Sequence, residues 1–135
     1  MKKIVAILGL FFILSSCSVN EDANFRLTLL PIESVEVPDQ FQLGQTYEIT
    51  YRYYKPTSCY ASDGVHYDSY LNERTFAVRN LYRERSSCVP TNEVLVEETF
   101  QFYVTSNGSY IFKFWNGIND NGEYVFLEYE IPVVN

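Results

Sequence analysis

The sequence predicts an all-β chain, an antiparallel β-sandwich of about seven strands. Three observations predict it. Apolar residues recur at every second position through most of residues 25–134, the period of a strand with one buried face. Clusters of Gly, Pro, Asn, Asp and Ser interrupt this alternation roughly every 8–12 residues, the spacing of short strands in a sandwich or barrel. Tyr and Phe are abundant, with 12 and 10 copies, while Ala, Met and Lys are scarce; that bias favours strands over helices. No helical period, internal repeat or low-complexity tract is evident, and a small β-barrel is the alternative packing of the same strands.

The elements follow in order. Phe25, Leu27 and Leu29 alternate with polar residues up to Pro31, and Val35 and Val37 resume the pattern before Pro38. Proline removes a ladder donor, so this reads as an edge strand split in two. After Leu43-Gly44-Gln45, residues Tyr47, Ile49, Tyr51 and Tyr53 share one strand face. Ser62-Asp63-Gly64 is a turn signal, and Val65 to Tyr70 a short strand after it. Phe76, Val78 and Tyr82 face one way on the next strand. Val94, Val96, Phe100, Phe102 and Val104 do so on the longest one. Glu98 falls on that apolar face, which predicts a bulge or break beside it. Ser106-Asn107-Gly108 predicts a hairpin into a strand with Tyr110, Phe112 and Phe114 inward, and Asn119-Asp120-Asn121-Gly122 a last turn before Val125, Leu127, Tyr129, Ile131 and Val133.

The N-terminus carries a different signal. Met1-Lys2-Lys3 is basic, and Ile4 to Leu14 is apolar over about 11 residues, where a spanning helix needs about 20. An Ala-x-Ala-like site is absent. Leu14-Ser15-Ser16-Cys17 resembles the lipobox of bacterial lipoprotein signal peptides. The resemblance implies that residues 1–16 are removed and that Cys17, acylated on its thiol and its new amino group, becomes the first residue of the mature protein. One acyl chain binds marginally, at about 0.8 kcal/mol per buried methylene, so the three chains usual in that family make release negligible. Residues 17–24 form an acidic tether with Glu21 and Asp22. This is similar to the surface-export signal of Bacteroidota lipoproteins; a plain solvated linker is the other reading. Ser18, in place of the aspartate that retains enteric lipoproteins in the inner membrane, points to the outer membrane and leaves its face open.

Residues 25–135 form the predicted domain. Gly108-Ser109-Tyr110-x-Phe112-x-Phe114 resembles the penultimate strand of bacterial immunoglobulin-like domains, so the expected sandwich is immunoglobulin-like. Leu43-Gly44-Gln45-Thr46-Tyr47 and Phe112-Lys113-Phe114-Trp115 resemble segments of small Bacteroidota β-sandwich lipoproteins, a resemblance that brings no activity with it.

The formal net charge is −7, and loss of Lys2 and Lys3 with the signal makes the mature chain more acidic. Such a surface argues against nucleic acid as a partner and against tight adhesion to anionic membrane surfaces. In an exported chain, Cys59 and Cys88 are expected to form a disulfide. Their placement does not match the inter-sheet bridge of antibody domains, so the bridge is expected to tie neighbouring loops or strands.

Candidate chemistry is sparse. His66 is the only histidine and could form a triad with Asp63 or Asp68, but no Gly-x-Ser-x-Gly elbow accompanies it. Gly117 to Glu123 has oxygen-bearing residues at alternate positions, yet Gly117 supplies no first calcium ligand, and an Asn-Gly turn explains the segment. Glu97-Glu98 and Glu128/Glu130, the second pair sharing one strand face, are carboxylate pairs of the kind a glycosidase uses, but a solvated sheet face also needs them and so small a domain has little room for a sugar cleft. Arg79, Arg83 and Arg85 are a basic cluster in an acidic chain, able to grip an anionic partner or to pair with Glu73 or Glu84. Tyr53, Tyr54, Tyr60, Tyr67, Tyr70 and Trp115 exceed what one core can hold, and rigid amphipathic rings at a surface suit protein or sugar recognition. The expected binding surface therefore comprises Tyr54, Tyr60, Tyr67, Tyr70, Arg79, Arg83 and Trp115, with no cofactor or metal. The expected function is that of a membrane-anchored envelope lipoprotein with a non-catalytic binding or structural domain, its partner an envelope protein or a glycan. A carbohydrate-binding surface lipoprotein is the alternative, and a small hydrolase using His66 a weaker one.

Overall fold

Two β-sheets pack face to face in the computed structural model, which describes residues 24–135. Among these there are nine strands: β1 (Arg26–Leu30), β2 (Ile32–Glu36), β3 (Phe41–Gln42), β4 (Thr46–Tyr54), β5 (Tyr60–Tyr70), β6 (Glu73–Tyr82), β7 (Leu95–Tyr103), β8 (Ser109–Ile118) and β9 (Tyr124–Val134). The smaller sheet runs β2-β4-β7. The larger runs β5-β6-β8-β9-β3, and β1 lies in line with β8 along one edge of β6. There β8 pairs with Glu73–Phe76 and β1 with Val78–Tyr82. The two separate sheets decide for the sandwich over the barrel. The signal segment, Cys17 and most of the tether lie outside the described residues.

The alternation read from the sequence places the core. Tyr110, Phe112 and Phe114 are buried on β8, against Ile49, Tyr51 and Tyr53 of the opposite sheet. Phe112 is the hub: its ring centroid lies 4.8 to 6.2 Å from those of Phe41, Phe76, Phe102, Tyr110 and Phe114. The Tyr110 hydroxyl accepts hydrogen bonds from the backbone N–H groups of Thr105 and Ser106, at 3.2 and 2.9 Å. These bonds tie the start of β8 to the corner that precedes it.

Several expectations are corrected. The strand count rises from seven to nine because Pro31 divides the first strand between two sheets and Phe41–Gln42 adds a short strand. Two pairings, β6–β8 and β3–β9, are parallel. Both halves of the split strand are edges among the described residues, as expected, but of different sheets: β1 pairs only with β6 and β2 only with β4. What differs is the face, because Phe25, Leu27 and Leu29 point outward while Leu30 and Ile32 enter the core. Ser62-Asp63-Gly64 is no turn but an irregularity within β5, where the register slips between Ser62 and Val65 and Gly64 takes φ 77°. Ser106-Asn107-Gly108 does not close a hairpin, because β7 and β8 belong to different sheets. Nor does Glu98 break its strand: β4 and β7 pair without a shift from Thr46–Tyr103 to Tyr54–Leu95.

Cys59 and Cys88 are bridged, joining the start of β5 to the loop after β6, with Cα atoms 5.5 Å apart. The same loop is held by a Ser58 N–H to Val89 carbonyl bond of 2.9 Å. Closing a loop with a sequence separation of 29 contributes roughly 3–4 kcal/mol in the chain-entropy account. Reduction, or Cys88→Ser, is expected to lower stability by about that amount, read as a reduced urea midpoint with an unchanged native spectrum.

Candidate functional site

The open flank of the sandwich lies between β5, the edge of the larger sheet, and β7, the edge of the smaller one. Each pairs on one side only among the described residues, β5 with β6 and β7 with β4. Between them is a cleft of about 380 Å³, walled by Val65 and Tyr67 from β5, Phe76 from β6, Tyr51 from β4, and Phe100 and Phe102 from β7. Alternation sends Tyr67 toward this flank, where its ring packs 5.5 Å from that of Phe76 while half of the residue stays exposed. Phe76 in turn stacks on Phe100 at 4.7 Å. Thr99 and Gln101 form the polar rim. Apolar walls with few polar groups are the usual make-up of a ligand site, and the volume is in the usual range.

A hydroxyl cluster fixes the cleft's inner end. Glu98 points inward from β7 and accepts from Tyr51 at 2.8 Å, from Tyr53 at 3.1 Å, and from Ser62 of β5. Tyr53 and Ser62 share a further bond of 2.9 Å. This explains why the strand tolerates a carboxylate on its apolar face: three donors replace the water it loses. The bonds also tie β5 to the smaller sheet beside the cleft. Burial, then the bond to Glu98, pushes the Tyr51 phenol well above its ordinary pKa of 10. Burial raises Tyr53 as well. Both phenols are therefore donors. A raised acid pKa favours the protonated form in the fold, so Tyr51's contribution is complete below pH 10 and is lost as pH rises beyond it. Stability is expected to fall above that pH, and Tyr51→Phe to flatten the fall, measured by urea unfolding across an alkaline series.

The candidate binding residues, for which the sequence leaves open whether they form one patch, are dispersed. Tyr67 lines the cleft. Tyr60 packs on Tyr82, with ring centroids 4.6 Å apart, and is half-buried. Tyr70 is 70 % exposed at the β5–β6 hairpin, far along β5 from Tyr60. Tyr54 lies on the outer face of the smaller sheet, beside Leu95. Trp115 lies on the outer face of the larger sheet, opposite Phe126, with its ring 6.4 Å from that of Tyr124. Arg79 pairs with Asp63 at 2.8 Å, not with the expected Glu73 or Glu84, and Arg83 lies over the Phe25 ring at 5.7 Å. His66 is exposed on the outer face, beside Leu27, Leu29 and Arg79. Glu97 and Glu98 fall on opposite faces, Glu97 pairing with Arg52 at 2.7 Å. The Asn119 side-chain oxygen accepts from the N–H groups of Asn121 and Glu123, closing the last turn as expected. Sequence reasoning missed Phe100, Phe102 and Glu98 as parts of a site, and missed Tyr124 and Phe126 beside Trp115. The signal for Glu98 was there: an acid on an apolar face opposite two tyrosines of one strand.

No protein-family model, curated protein or solved structure matches the chain.

Proposed function

We propose that this protein is a lipid-anchored envelope lipoprotein, held in the outer membrane through Cys17, whose sandwich is a non-catalytic binding domain. The observation that carries the binding reading is the cleft between β5 and β7, an aromatic-walled groove between two strand edges that pair on one side only. An extended segment of an envelope protein suits it. Its backbone would add to a strand edge, and an apolar side chain would enter between Tyr67, Phe76 and Phe100. The lipobox supports the anchor. The test is a charge placed in the cleft: Val65→Lys is expected to abolish a complex that cross-links through the flank while the domain still unfolds cooperatively in urea, at a midpoint lowered only in part because Val65 packs against the core from a half-buried position. A complex that survives Val65→Lys would count against this site.

A second reading, glycan binding, is favoured by a separate observation. Trp115, Tyr124 and Phe126 cluster on the outer face of the larger sheet. Lys113 lies 5.1 Å over the Phe126 ring and 3.7 Å from Glu128. Rings beside charged hydrogen-bonding groups are the chemistry that holds a sugar. Trp115→Ala would then abolish retention on the glycan, and Trp115 emission would shift on binding.

A further inference from the structure

The part of the molecule nearest the proposed anchor carries an apolar face that the fold does not use. Phe25, Leu27 and Leu29 are 44, 56 and 41 % exposed. They follow one another at strand spacing on the outer side of the larger sheet, where Leu81 lies opposite Leu27 and Arg79 opposite Leu29. Leu27, Leu29, His66 and Arg79 enclose a hollow of about 330 Å³. At the strand's start a second hollow, about 600 Å³, lies between Phe25, Arg26 and Arg83, with Glu84 at its margin. The Arg83 guanidinium sits 5.7 Å over the Phe25 ring. Arg79 is neutralised by Asp63, but among the described residues no carboxylate lies within ion-pair distance of Arg26 or Arg83. Arg26 points to the opposite side of β1, over the Tyr82 ring at 5.7 Å. Three apolar side chains beside Arg83 and the paired Arg79, in an otherwise acidic chain, thus lie along and just before the first strand.

We propose that this face, Phe25, Leu27 and Leu29 with Arg83, rests on the bilayer surface, the apolar side chains entering the headgroup boundary and the Arg83 guanidinium meeting lipid phosphate. The proposal rests on the lipid-anchor reading above. The length of the tether argues for it. Eight positions separate Cys17 from Phe25, and a fully extended chain covers at most about 3.3–3.6 Å for each, so this face stays within roughly 30 Å of the acylated residue. A short tether keeps the local concentration of membrane at this face high, so weak contacts suffice. Aromatic and aliphatic side chains with arginines around them are the composition of an interfacial contact, with the charged heads reaching phosphate while their stems cover apolar surface. Juxtamembrane basic residues add attraction to anionic lipid.

The experiment uses the lipidated mature protein in phosphatidylethanolamine–phosphatidylglycerol vesicles. Spin labels are placed through Leu27→Cys, Leu29→Cys and, on the outer face of the other sheet, Glu48→Cys. Collision with oxygen against a water-soluble nickel chelate reports immersion, and flotation reports the anchor. The expected result is a several-fold higher oxygen-to-nickel ratio at positions 27 and 29 than at 48, reduced by Arg83→Glu. Protein that floats with all three labels equally wet overturns the docking and leaves the anchor standing. Protein that does not float overturns the anchor and the docking with it. Dipolar broadening between labels at position 29, with oxygen and nickel both excluded, would assign the face to a second copy instead and equally overturn it.

Discussion

Phe112→Ala is expected to destabilise the domain by about 3–5 kcal/mol, the range for removing a fully buried aromatic ring from a core that cannot collapse around the gap. Phe112 is wholly buried, and its ring meets five other aromatic rings drawn from β3, β6, β7 and β8. Those partners are held by two sheets at once, so no single strand can move in to fill the space. A domain of this size has a total stability of about 5–15 kcal/mol, so the loss would be a large share of it. Urea unfolding of the variant measures it. A loss below about 1.5 kcal/mol, the cost of a volume-conserving swap, would mean that the aromatic cluster is not packed as described.

Cys17→Ala is expected to move the protein from the membrane fraction to the soluble fraction, or to stop its processing with residues 1–16 still attached. Anchoring by acyl chains scales with the number of methylenes buried, at about 0.8 kcal/mol each, so loss of the acylated residue removes a term far larger than the apolar face of β1 can supply. Fractionation with an alkaline wash measures it. Full retention through that wash of a variant that has lost residues 1–16, checked by its mass, would show that something other than lipid at Cys17 holds the chain. The sandwich should be unaffected, because the described fold begins downstream of the tether.

Much of this fold was legible in the sequence, for a physical reason. Where a strand is buried on one face by the opposite sheet, alternation is strict and the register follows, as with Tyr110-x-Phe112-x-Phe114 and Tyr47-x-Ile49-x-Tyr51-x-Tyr53. The rule misled at β1, because Leu27 and Leu29 alternate as a core face does but point outward; Pro31 then hands the chain to the other sheet. A turn signal such as Ser106-Asn107-Gly108 says that the chain reverses and not which sheet receives it. The strands that receive β8 are β6 and β9 of the larger sheet, and they lie outside that turn in the sequence. Glu98 read as a fault in its strand because its compensation, three hydroxyls on two other strands, is invisible locally. The cleft was illegible for the same reason. Tyr67 could be picked out as a surface aromatic, but Phe100 and Phe102 read only as core, and it is the meeting of two edges from different sheets that makes a groove of them.

The most direct test of a membrane-held binding domain is photo-cross-linking from Tyr67 in intact cells, with the photoreactive residue at Glu48 as the control on the far face. A discrete adduct is expected from position 67, lost in Val65→Lys and in Cys17→Ala, and none from position 48. Equal labelling from both positions, or an adduct at 67 that persists in Val65→Lys, would contradict it.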